Sequence, residues 1–312
     1  MWLPWILLSL LLAFQSALAI EDIPYLLNVA SRGDVATVKA MLSSGANPNV
    51  ADKNGISALM YAARKNHLPI IELLVSNGAR VNARDNDGWT ALMVAAKNNH
   101  VASVRALLAL DANASLRDAD GWSALGLAAS SGQSEVLNVL LQHGQDANLR
   151  IQGGRTLLMY AAQNGYLASV NALLAAKANV AAQDDLGVTA LMIAARDGQI
   201  AVVKRLLDTG VDVEQKDFGH WTALTWAVKK NQLAVAELII AAGANVNNID
   251  SDGLPLLHLA VHNGNVAMVR LLLAYHVSVK ARDQYGLTTL VYALKNQDIS
   301  IVELLKSAGG TY

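Results

Sequence analysis

His258 and His262 stand four residues apart, a spacing that sets two imidazoles on one helical face and could seat a metal ion. The chain has no cysteine, so thiolate ligands, disulfides and a cysteine nucleophile are excluded. It also lacks a Gly-x-Ser-x-Gly elbow, a phosphate-loop signature and a His-Glu-x-x-His motif. Catalysis, a bound metal and a cofactor are therefore not expected. Asn113-Ala114-Ser115 is an N-glycosylation acceptor sequence, of consequence only on a eukaryotic secretory path.

Recognition is a better match to the residues than reaction. Trp89, Trp122 and Trp221 occupy one position of a repeating pattern, where other copies carry Ile56, Arg155, Val188, Leu254 and Leu287. Tryptophans on one line are the pattern of interface anchors; the alternative is partial packing against the next turn. Trp226 lies inside a helix and reads as core. Lys97, Gln163 and Arg196 belong to a second series, at the ends of successive helices, which forms a broken basic ladder. Between Asp146 and Asp184 there is no acidic residue, while Arg150, Arg155 and Lys177 fall in that span. Trp89, Trp122, Arg155, Gln163 and Arg196, with Lys97 and Trp221 beside them, are thus the expected contacts to an acidic protein partner. Arg84, Arg117 and Arg282 immediately precede lattice aspartates and are expected to pair with them across neighbouring turns.

The elements that must hold these residues follow from a strict period. Asp52, Asp85, Asp118, Asp184, Asp217, Asp250 and Asp283 fall on a 33-residue lattice, which only Ile151 breaks. Leu59, Leu92, Leu125, Leu158, Leu191, Leu224, Leu257 and Leu290 keep the same period. Asp-x-x-Gly makes a tight turn, because the carboxylate bonds backbone amides and glycine tolerates unusual torsions. Ser57, Thr90, Ser123, Thr156, Thr189, Thr222 and Thr288 then stand where a helix needs an N-cap. An Ala-rich first helix follows and ends at Asn or Gly (Asn66, Asn99, Gly132, Gly165, Gly198, Asn231, Gly264), as a left-handed C-terminal position demands. His67 and His100 share the position after that turn and read as caps. A second helix carries paired leucines such as Leu73-Leu74 and Leu206-Leu207.

Asp85-Asn86-Asp87-Gly88-Trp89-Thr90-Ala91-Leu92-Met93-Val94-Ala95-Ala96 resembles the core of the ankyrin repeat, and the resemblance extends over residues 22–312. It implies an all-α solenoid of stacked helix-turn-helix units with β-hairpin-like loops, whose hairpin tips and first helices line a partner-binding groove. Two departures are systematic: Ala replaces the family's Pro, and Met60, Met93, Met159 and Met192 replace its His. The family's Thr–His hydrogen bonding is then largely replaced by a softer apolar contact, and only His258 keeps the family histidine. The organisation read from the lattice is an N-terminal capping repeat over 20–51, seven repeats over 52–282 and a C-terminal capping repeat over 283–312. One such unit cannot fold alone, so neighbours must stack.

Composition sets the remaining bounds. Hydrophobic residues make up 53% of the 312 and charged ones 16%, which is enough apolar material for a core and too little charge for disorder. With a net charge of −1, the chain has no global attraction for nucleic acid or anionic lipid. Residues 1–19 read as a secretory signal: Trp2 to Phe14 is almost continuously apolar, and Ala17-Leu18-Ala19 is a small-x-small cleavage site. Its n-region has no Lys or Arg. The alternative, a retained anchor, would need roughly 20 apolar residues, more than this stretch supplies. A periplasmic or secreted monomer is expected, acting as a non-catalytic protein-binding scaffold of the exported bacterial type. An immunity or inhibitor protein against a secreted toxin, and an accessory factor in oxidative-stress defence, are the alternatives.

Overall fold

The computed structural model describes residues 24–311, so the leader over 1–19 lies outside the described residues. Eighteen α-helices follow one another in pairs, from Tyr25–Arg32 and Val35–Ser43 to Thr289–Lys295 and Ile299–Ser307. Among the described residues there is no regular strand. The hairpin-like loops contribute only isolated bridges, such as Ala51 to Ser57 and Arg150 to Thr156. The chain forms two compact units, one ending at Ala124 and one beginning at Leu125. Within each, first helices pack on first helices and second helices on second helices of the next repeat.

The turn chemistry holds at every lattice aspartate. In the first unit Asp85 Oδ1 accepts from the amides of Asp87 at 3.1 Å and Trp89 at 2.7 Å. In the second, Asp217 Oδ1 accepts from Gly219 and Trp221, both at 2.9 Å. Ile151 has no acceptor to offer, yet its amide still bonds the Arg155 carbonyl at 2.9 Å. There the loop becomes a short 3-10 turn over Gln152–Gly154, with Gly153 and Gly154 at φ of 71° and 69°. Two glycines thus do by torsional freedom what a carboxylate does elsewhere.

First helices start where the N-cap residues were expected. Ser57, Thr90, Thr156, Thr189 and Thr222 accept from the amide three residues on. Each such cap contributes about 1 kcal/mol. Thr288 holds the position without capping and donates instead to the Thr311 carbonyl at 2.7 Å. The methionines are more than apolar filler in two repeats: Met159 and Met192 sulfurs accept from the amides of Thr156 and Thr189 at 3.3 and 3.4 Å, closing a capping box. Asn66, Asn99 and Asn231 end their helices at φ of 59°, 58° and 57°.

The lattice leucines form the core, and Leu59, Leu92, Leu158, Leu191, Leu224 and Leu257 are all at most 1% exposed. Removing one such side chain to Ala costs about 2–5 kcal/mol. Polar links join neighbouring loops. Asn49, Asn82 and Asn148 each accept from a backbone amide of the next repeat, at Arg80, Asn113 and Asn179, over 2.7–2.8 Å.

Arg84, before Asp85, is held by backbone carbonyls and not by that carboxylate, contrary to the sequence reading. Arg84 donates to the carbonyls of Gly88 at 3.2 Å and Arg117 at 2.6 Å. Arg150 does the same to Gly154 and Gln183, at 2.6 and 2.7 Å, and Gln183 to Gly187 and Lys216. Arg117 and Arg282 reach the carbonyls of Gly121 and Gly286. Asp85 Oδ1 is taken by the amides of its own turn, while the carbonyls of Gly88 and Arg117 accept from Arg84. His67 and His100 likewise do not cap their own helices. Their Nε2 atoms meet the carbonyls of Ser31 and Arg64, at 3.1 and 2.9 Å, near the end of the preceding repeat's first helix.

Candidate functional site

In the first unit, the tip position and the first-helix end come together at Trp89 and Lys97. Trp89 is half-buried, and the Lys97 ammonium lies 5.0 Å from its ring centroid. One repeat earlier the Arg64 guanidinium stands 5.4 Å from the Tyr61 ring. A cavity of about 380 Å³ opens beside them, lined among others by Arg64, Asp85, Trp89, Val94 and Lys97. The hairpin of Trp122 adjoins that of Trp89 through a 2.9 Å bond from the Ala119 amide to the Asp87 carbonyl. Trp122 is half-buried as well, its amide held by Asp118 at 2.8 Å.

In the second unit, Arg155 and Gln163 meet directly: Nη2 donates to Oε1 at 2.8 Å while the guanidinium lies 4.5 Å from the Tyr160 centroid. Arg196 is fixed by a two-point ion pair to its neighbour Asp197, both bonds 2.9 Å, and sits 5.8 Å from the Trp226 ring. The Asp197 hydrogen bond raises the Arg196 pKa further, although burial opposes it. Both arginines are therefore held by a neighbouring side chain and a ring. Asp197 follows Arg196 directly, and Gln163 lies one helix away from Arg155, so both partners were close in the chain.

Trp226 is not core. It is half-exposed, packs edge-on against Trp221 at 4.8 Å, and donates from Nε1 to Asp217 Oδ2 at 2.9 Å. Reading the helix alone missed it, together with Tyr61, Tyr160 and Tyr292. The signal was available, because all four stand on the same lattice, nine residues after Asp52, Ile151, Asp217 and Asp283. Tyr61 and Tyr292 donate to the second oxygens of Asp52 and Asp283, at 2.9 and 2.5 Å. Burial works to raise the Asp52 and Asp283 carboxyls. Donors from Ile56, Tyr61 and Asn54 outweigh it at Asp52, as do Tyr292, Leu287 and Tyr285 at Asp283, so both pKa values are lowered. At the tips, Leu186 and Phe218 are 68% and 72% exposed on adjoining hairpins.

The histidine pair divides. His258 is buried, with Nε2 at 3.1 Å from the Leu287 carbonyl and Nδ1 at 3.0 Å from Thr289 Oγ1, while His262 is exposed. Both His258 nitrogens are thus engaged within the fold. Among the described residues, no group of three or more His, Asp or Glu side chains is placed to hold a metal ion. No helix among them is long and apolar enough to cross a membrane.

The fold defines a class first: stacked helix pairs joined by Asp-Gly hairpins. The model for ankyrin repeats matches residues 26–118, 108–184, 158–250 and 235–311, so the chain belongs to the ankyrin-repeat family. Ankyrin repeats generally mediate protein–protein interaction, and proteins built of them are typically non-catalytic scaffolds. No curated protein matches the chain.

Proposed function

We propose that this chain is an exported scaffold that holds an acidic protein partner against its hairpin tips and first-helix ends. The observation that carries the reading is a recurring pair of a cation and an aromatic ring: Arg64 with Tyr61, Lys97 with Trp89, Arg155 with Tyr160 and Arg196 with Trp226. A cation held on a ring gains about 0.5–1 kcal/mol at an exposed site. It has also lost part of its rotamer freedom before a partner arrives, which lowers the entropic cost of binding. Rings and arginines are the side chains that dominate interface energetics, and carboxylates are the groups these cations would take up. The leader over residues 1–19 supports a place in the periplasm or outside the cell.

The test uses the mature chain as bait in periplasmic extract, beside a variant carrying Trp122→Ala and Arg155→Ala. The partner retained by the parent is expected to bind the variant roughly tenfold more weakly or worse. A partner held equally by both would overturn the assignment of this surface.

A further inference from the structure

The lattice aspartates divide their oxygens. In the repeats of Asp52, Asp217 and Asp283, one oxygen closes the turn and the other takes a donor from an aromatic side chain nine residues on. That ring also fills the space behind the hairpin. In the repeat of Asp85 the same position is Val94. Asp85 Oδ1 is occupied by the Asp87 and Trp89 amides, whereas Oδ2 receives no hydrogen bond among the described residues. Where a ring is missing there is a cavity of about 380 Å³, lined by Val94 and Trp89, the cations Arg64 and Lys97, and the carboxylates Asp85 and Asp87 among others.

We infer that this cavity is a socket for a phenol: a tyrosine side chain of the partner, with its hydroxyl donating to Asp85 Oδ2 as Tyr61 donates to Asp52. The inference rests on the protein-binding reading and names the anchor that binding would use. The chemistry follows from a template the chain supplies three times, twice with a phenol and once with the Trp226 indole. A carboxylate oxygen aimed at a ring position accepts but cannot donate, so the guest must carry a donor. The surrounding surface is apolar at Trp89 and Val94, which suits a ring. Arg64 and Lys97 suit acidic residues beside the tyrosine, and the volume falls within the range of specific binding pockets. Leu127, Ile193 and Leu259 hold the corresponding position in three other repeats, and all are larger than Val94.

The probes are a short amidated peptide with tyrosine flanked by glutamates, and the same peptide with phenylalanine. Binding is read from the Val94 methyl signals and from the indole N–H signal of Trp89. The tyrosine peptide is expected to bind and to perturb Val94. The phenylalanine peptide should bind roughly tenfold more weakly or worse, because it leaves Asp85 Oδ2 desolvated and unpaired. Val94→Tyr fills the socket from within; it should raise the melting temperature and abolish peptide binding. Lys97→Ala, an exposed change that leaves the core untouched, should weaken the acidic tyrosine peptide severalfold while the fold stays intact. Equal binding of the two peptides, or unaltered binding to V94Y, overturns the socket. Capture of the natural partner separates the two readings. A V94Y chain that loses the peptide but retains the partner overturns the socket as an anchor and leaves the scaffold standing. A wild-type chain that binds the peptide but captures no protein supports the socket's chemistry and overturns the scaffold.

Discussion

At the scale of single residues, buried polar groups decide how the repeats differ from one another. His258 replaces the methionine found at Met60, Met93, Met159 and Met192, and it ties its repeat to the next through the Leu287 carbonyl and Thr289 hydroxyl. Burial holds its pKa below the ordinary value of about 6.5, against the opposing effects of the Leu287 carbonyl and the Asp283 charge. The sign follows directly. The unfolded imidazole binds a proton more readily than the folded one, so stability is full above about pH 6.5 and falls as pH drops toward the folded pKa. Urea midpoints at pH 7.5 and pH 5.5 should therefore differ for the parent, and differ less for His258→Met. The lowered pKa values of Asp52 and Asp283 act further into acid, where their contribution is lost as pH falls below about 4. A His258→Met midpoint that shifts with pH as much as the parent's would exclude His258 as the source.

At the scale of elements, loops are joined by donors reaching across one repeat. The residue before the lattice position clasps its own turn carbonyl and the next loop at Arg84, Arg150 and Gln183. Ile249 stands at this position with 46% exposure and nothing to donate. Ile249→Arg is accordingly expected to reach the carbonyls of Gly253 and Arg282 and to stabilise the second unit by about 0.5–1.5 kcal/mol. Thermal melting with the parent as reference checks it; an unchanged or lowered midpoint would refute the clasp as a stabilising device. First-helix starts other than the uncapped Thr288, turn aspartates and left-handed ends of first helices were legible in the sequence. Each answers a local backbone need that one residue type meets at one spacing, as at Thr189, Asp85 and Asn66. The clasps were not legible, because an arginine beside an aspartate looks like an ion pair until the loop shows which oxygens face it. Trp226 was misread for a related reason. Its helix buries one face, and whether position nine turns outward depends on the carboxylate it reaches for.

At the scale of the molecule, the proposed function makes the second helices a scaffold and assigns contact to the tips and first-helix ends. The seven residues picked from sequence, Trp89, Lys97, Trp122, Arg155, Gln163, Arg196 and Trp221, all lie at tips or first-helix ends, distributed over the two units. What changes is their company: Tyr61, Tyr160 and Trp226 join them, and the cations are held by rings or neighbours instead of standing free. The proposed function places recognition on one set of elements and stability on another. Hydrogen–deuterium exchange on the chain, alone and bound to its captured partner, tests that division most directly. The account predicts slowed exchange over the tips and first helices, at residues 56–65, 89–98, 155–163 and 221–230, with second helices such as Val101–Ala109 and Ile200–Leu207 unchanged. Protection confined to the second helices would contradict it.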